Sequence, residues 1–210
     1  MPSSPDPVGP GPAATRPSAI PALVGATQRL EQATALDGLR RVYGTLARPL
    51  DSWSGSELLR SGLIGHALHP LLTDVTLGCW TAASILDLGG RPADRQASRR
   101  LVGAGLVAVG PTALTGLAEW ARTGREAQRV GALHGVLNVA ATSLYLASYV
   151  ARGRQRHTLG VASALAGAVL TGASGYLGGH LTTARKIGSR DPAYAVDRVQ
   201  DELGGTVAGS

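Results

Sequence analysis

Between Pro70 and Leu181 the chain consists of four long apolar runs separated by short clusters of charge. The runs are Pro70 to Leu88, Leu101 to Trp120, Val130 to Ala151 and Leu159 to Leu181, and none contains Lys or Arg. Each is roughly 19 to 23 residues long, against the ~20 a helix needs to cross a bilayer. A backbone in hydrocarbon must satisfy its own hydrogen bonds, and segments of this length do so as helices. The pattern therefore predicts four transmembrane helices packed as an antiparallel bundle. The first run is the most dilute, carrying Thr73, Asp74, Thr76, Thr81, Ser84 and Asp87, and is expected to depend on its neighbours for insertion. Gly103 and Gly105, Gly131 and Gly135, and Gly172, Gly175, Gly178 and Gly179 are small residues that let helix backbones approach closely. Pro111 predicts a kink in the second helix, because it removes a donor and crowds the preceding turn.

Ahead of the spans, Leu23, Leu30, Ala33, Leu36, Leu39, Val42, Tyr43 and Leu46 return at steps of three and four, while Arg29, Glu31, Arg40 and Arg41 fall elsewhere. This spacing predicts one amphipathic helix over Leu23 to Ala47, ended near Pro49, that lies on the membrane surface, on the bundle or on a partner. A short second helix is expected around Ser56 to Leu63. Residues 1–21 hold Pro2, Pro5, Pro7, Pro10, Pro12, Pro17 and Pro21 and too little apolar surface to fold, and they lack the basic opening and apolar run of a signal peptide. The expected fold class is all-α: an integral membrane four-helix bundle with an amphipathic N-terminal helix. Its parts are a Pro-rich tail over 1–21, an amphipathic segment over 22–64, the transmembrane domain over 65–184 and a polar tail over 185–210.

Charge refines this picture. The 20 basic residues outnumber the 14 acidic ones, but the Arg residues punctuate apolar segments instead of sharing a soluble face, so no nucleic acid is expected as a partner. They act as topology signals in a multi-pass protein of the cell membrane. Arg91, Arg95, Arg99 and Arg100 share a side with Arg152, Arg154 and Arg156, which argues for that side being cytoplasmic. The other side carries Arg60, Arg122, Arg125, Arg129, Arg185, Lys186 and Arg190, which leaves the orientation open. The single cysteine, Cys79, excludes an internal disulfide and reads as a small buried packing residue.

Alternating helix direction gathers the remaining chemistry on one side. His66 and His69 precede the first span, Glu119 and Trp120 close the second, His134 lies about one turn into the third, and His180 ends the fourth. Asp74 and Asn138 extend this polar set inward, while His157 belongs to the opposite basic loop. Bundle proteins build metal and haem sites from side chains on facing helices, and imidazole suits iron, copper, zinc or nickel. His66, His69, His134 and His180 are thus candidate cofactor-binding residues for haem or a transition metal, with Asp74 and Glu119 as further ligands or proton-relay groups. Against this stands the interfacial reading, in which His, Glu and Trp near helix ends are amphipathic anchors and Asp74 favours a helix N-terminus. Glu119 with Arg122, and Asp87 with Arg91, could pair across one turn, and Asp87 is expected to be structural.

The run Gly65-His66-Ala67-Leu68-His69-Pro70, with Leu71-Leu72-Thr73-Asp74 and Gly78-Cys79-Trp80, resembles the signature of a bacterial family of predicted membrane proteins catalogued as domain of unknown function 2231. Further matches are Thr115-Gly116-Leu117-Ala118-Glu119-Trp120, Leu133-His134-Gly135 with Asn138, and Ser174-Gly175-Tyr176-Leu177-Gly178-Gly179-His180-Leu181. The resemblance covers about Leu30 to Leu181, and the opening motif has Ala67 where the family usually has Pro. It implies a four-helix membrane module with no assigned reaction. Some relatives continue into a Rieske iron–sulfur domain, which implies work beside an electron carrier. Residues 188–210 contain no Cys and cannot hold such a centre, so a separate Rieske-type or other electron-transfer protein would supply it. The expectation is a redox module in the lipid bilayer; the alternative is a non-enzymatic scaffold or an ion or proton pathway. Neither nucleophile motifs nor HExxH spacing point to a hydrolase.

Overall fold

The computed structural model describes residues 21–53, 59 and 67–188. Among the described residues, α1 (Ala22–Gln32) and α2 (Asp37–Ser52) precede the membrane region, joined by a 3-10 turn over Thr34–Leu36. Four long helices follow: α3 (Leu68–Leu88), α4 (Arg95–Trp120), α5 (Arg125–Gly153) and α6 (His157–Gly179). The chain is an all-α membrane protein, and among its described residues four helices are long and apolar enough to cross a membrane. The tail before Pro21, most of the short helix expected around Ser56 to Leu63, His66, and residues beyond 188 lie outside the described residues.

Connections between the long helices are short, as antiparallel neighbours require. Gly90, at a φ of 65°, takes the left-handed conformation that ends α3, and Pro92 opens the 3-10 turn leading into α4. α4 and α5 extend past the apolar runs through Arg95, Arg99, Arg100, Arg125 and Arg129, because a helix need not stop where the hydrocarbon does. α4 also runs through Pro111 as one helix. Beyond α6 the chain widens into a π-helical turn, His180–Ala184, closed by the N–H of Arg185 on the carbonyl of His180.

Hydroxyls share the bundle interior with Trp80, Val102, Val130 and Tyr145, and much of the outer surface is apolar. Thr76, Thr115, Ser98, Ser148 and Ser174 are buried, whereas Leu71, Val75, Ile85, Val107, Val139 and Val169 are exposed. In water such an apolar coat would be costly; against lipid it is neutral, and association rests on close packing and internal hydrogen bonds. Gly103 and Gly105 receive Tyr149 and Trp80, and Gly131 and Gly135 receive Trp120 and Tyr43. Of the four glycines expected to pack in α6, only Gly178 does so; Gly172, Gly175 and Gly179 have no neighbour where a side chain would begin. Cys79 is half-buried rather than buried.

The single amphipathic helix expected over Leu23 to Ala47 is broken in two, and its second part continues through Pro49 to Ser52. The break comes at Ala33, whose extended backbone ends α1. Arg129 of α5 supports the elbow: Nη1 donates to the carbonyl of Glu31 at 2.9 Å, while Nε and Nη2 grip the Asp37 carboxylate at 2.8 and 3.0 Å. Pro49 is tolerated because its fixed φ is itself helical and only one turn follows it. α2 lays Leu39, Tyr43 and Ala47 against Trp120 and Ala132, so the pair α1–α2 caps one end of the bundle.

Candidate functional site

Two helices present matching stripes to the bundle interior. On α3 the stripe is His69, Thr73, Thr76, Trp80, Ala83 and Asp87; on α5 it is His134, Asn138, Ala141, Tyr145, Ser148 and Arg152. Both advance by alternate steps of four and three, the repeat of one continuous seam along a helix. Each stripe rests on the next helix in the chain. Trp80 fills the notch at Gly105 of α4 and Tyr145 the notch at Gly167 of α6; His69 lies against Gly116 and His134 against Gly178. α3–α4 and α5–α6 are thus two versions of one helical hairpin.

Equivalent residues of the two hairpins meet each other, which is the property of positions beside a two-fold axis. Trp80 stacks on Tyr145 with ring centroids 3.7 Å apart and planes inclined by 14°. Asp87 pairs with Arg152, both side chains 2 % exposed. At the other end the equivalent residues are His69 and His134.

The two imidazoles are held in the same way. Nδ1 of His69 lies 2.9 Å from the carbonyl of Thr112, and Nδ1 of His134 lies 2.8 Å from the carbonyl of Ser174. A carbonyl only accepts, so the proton is on Nδ1 in both rings and a neutral ring carries its lone pair on Nε2. Around His134 the network closes: Asn138 Nδ2 donates to Nε2 at 2.9 Å, and Ser174 Oγ donates to Asn138 Oδ1 at 2.8 Å. Thr73 replaces Asn138 in the first hairpin and spends its hydroxyl on the His69 carbonyl at 2.8 Å. Among the described residues no hydrogen bond closes on Nε2 of His69.

Glu119 belongs to the same end. Its buried Oε1 has no hydrogen-bond partner among the described residues. His180 points elsewhere, into the cap: its Nε2 donates to Glu31 Oε1 at 2.8 Å, beside an ion pair between Glu31 and Arg185. Arg185 holds the Glu31 carboxyl below its ordinary range, and Glu31 in turn raises the Arg185 guanidinium. Asp74 is exposed on the outer face of α3 and does not join these groups. The described residues contain no cluster of three or more His, Cys, Asp or Glu gathered as for a metal ion.

At the opposite end the expected Asp87–Arg91 pair is replaced. Arg152 takes the Asp87 carboxylate with two nitrogens and also donates to Ser98 and Ser148 at 3.0 Å each, while Arg91 approaches Asp94 at 3.9 Å. A turn-spaced pair on the surface gives little, whereas two buried charges need each other and further donors and acceptors. Sequence reasoning also missed Glu31, Arg129, Thr112 and Ser174. The shared spacing of an imidazole, an aromatic ring and a charge in two spans was the available signal, obscured because most identities differ between the hairpins.

A family model described as a predicted membrane protein, DUF2231, matches residues 65–191. No curated protein and no solved structure matches the chain.

Proposed function

The chain belongs to the predicted membrane protein family DUF2231, and from that premise we propose that His69 and His134 form the working centre of a redox module in the cell membrane, ligating haem iron or another transition metal. The observation that carries this reading is the common anchoring of the two rings, each with Nδ1–H on a carbonyl of the facing helix. Metal-ligating histidines are typically oriented in this way, with the second nitrogen donating to a carbonyl so that the first presents its lone pair. Ligation at His134 would displace the Asn138 amide from Nε2. Glu119 supplies a nearby carboxylate, and His66 precedes His69 by three residues in the sequence. A Rieske-type or other electron-transfer protein would exchange electrons with such a centre.

The experiment is metal analysis and visible absorbance of the detergent-purified protein, before and after loading with haem or with iron, copper or zinc. The comparison is His69→Ala/His134→Ala, with circular dichroism to confirm that its helices persist. Binding lost in a folded variant supports the reading; an intact protein that takes up neither haem nor metal overturns it. A second reading, a proton pathway, rests on the buried Oε1 of Glu119, which has no hydrogen-bond partner among the described residues. Proton flux into proteoliposomes that disappears in Glu119→Gln would favour it.

A further inference from the structure

The apolar arc of α2 is wider than the bundle covers. Leu39, Tyr43 and Ala47 pack on the bundle, but Val42, Leu46, Pro49 and Trp53 form a second row at steps of four and three, and this row is exposed. Val42 and Leu46 are each 58 % exposed and Trp53 is 51 % exposed. Around the helix, the edge of this row away from the bundle carries exposed Arg41, Thr45, Arg48 and Ser52. From the bundle outward the order is therefore packed apolar, free apolar, then basic.

We infer that the free row of α2 is a membrane-surface anchor, with Val42, Leu46, Pro49 and Trp53 seated in the headgroup region and Arg41 and Arg48 on the phosphates of anionic lipids. Two features select lipid as the occupant. The apolar row lies near the outer coat of the bundle: Tyr43, next in the chain to Val42, fits against Gly135 of α5, and Val136 and Val139 of that same helix are exposed. The basic edge lies where long side chains would reach up from an apolar bed to phosphate, the usual arrangement of an in-plane amphipathic helix. Tryptophan at its end suits the same boundary.

Trp53 reports on its own surroundings, because Trp80 and Trp120 are only 5 % and 9 % exposed. The full chain is reconstituted in phosphatidylcholine vesicles with and without phosphatidylglycerol, and the Trp53 emission is isolated by difference from Trp53→Phe. Lipids brominated near the top of the acyl chains should remove most of this emission, while aqueous acrylamide removes little. Arg41→Gln/Arg48→Gln should lessen lipid quenching in the phosphatidylglycerol vesicles, and no change there would overturn the phosphate contact. Quenching by acrylamide alone would place the face in water and overturn the anchor. Protection from both quenchers would overturn it in favour of a second copy or another protein covering the row.

Discussion

Arg152 and Asp87 hold opposite charges almost entirely out of reach of solvent, at an end of the bundle that α1 and α2 do not cover. Ser98 and Ser148 complete the arrangement by accepting from the guanidinium, and Ser98 also donates to Asp87 at 2.7 Å. A pair this buried contributes through the penalty of leaving either member alone, because desolvation offsets most of its attraction. Asp87→Asn should therefore cost about 3–5 kcal/mol, whereas replacing both residues with leucine should recover most of that loss. Thermal unfolding in detergent, followed by circular dichroism, distinguishes the two outcomes. Equal loss in the single and double variants would mean that the site contributes through shape and not charge.

The cap formed by α1 and α2 is held to the bundle by carboxylates. Arg129 beside Asp37 brings its carboxyl down from 3.8 to about 2, with Arg40 assisting, and Arg185 lowers Glu31 from 4.5. A depressed carboxylate stabilises the folded form above its unfolded value and loses that contribution as pH falls through its folded value. The cap should thus stay closed above about pH 4.5 and open progressively as pH falls toward about 2. Hydrogen exchange in α1 measures this directly, and Asp37→Asn should raise exchange at neutral pH and flatten its acid dependence. Exchange in α1 that is unaffected by both acid and substitution would show that Tyr43, Ala47 and Trp120 hold the cap without the ion pairs. The spans themselves were legible in the sequence because length and lack of charge determine them. The elbow was not, since the periodicity from Leu23 to Leu46 continues across Ala33, and Arg129, which braces the break, lies far along the chain. Rotation about each axis was equally hidden: Gly178 and Gly175 look alike in sequence, yet one receives His134 and the other faces outward.

At the scale of the whole molecule, one hairpin design used twice explains why the polar residues lie where they do. A helix pair alone would cover only one side of the seam of His69, Thr76, Trp80 and Asp87, and the second pair supplies an equivalent seam for the other side. Once joined, the paired positions can diverge: Asp87 and Arg152 become complementary charges, Trp80 and Tyr145 a stack, and His69 and His134 remain alike. The most extensive helix interfaces lie within hairpins, α3 with α4 and α5 with α6. Membrane helices can insert first and associate afterwards, so each hairpin should behave as a unit of assembly. Cutting the chain in the short link between Trp120 and Arg125, and co-expressing the halves, should give a complex that purifies together in mild detergent. Cutting instead between α5 and α6, at Gly153 to Arg156, divides one of the two principal interfaces and should give less complex. Asp87→Asn in the first half should then weaken recovery of the second, because the charge that Arg152 needs would come from another polypeptide. Equal recovery from both cuts would show that the four helices associate singly, and that the shared spacing records packing geometry without a hairpin as its unit.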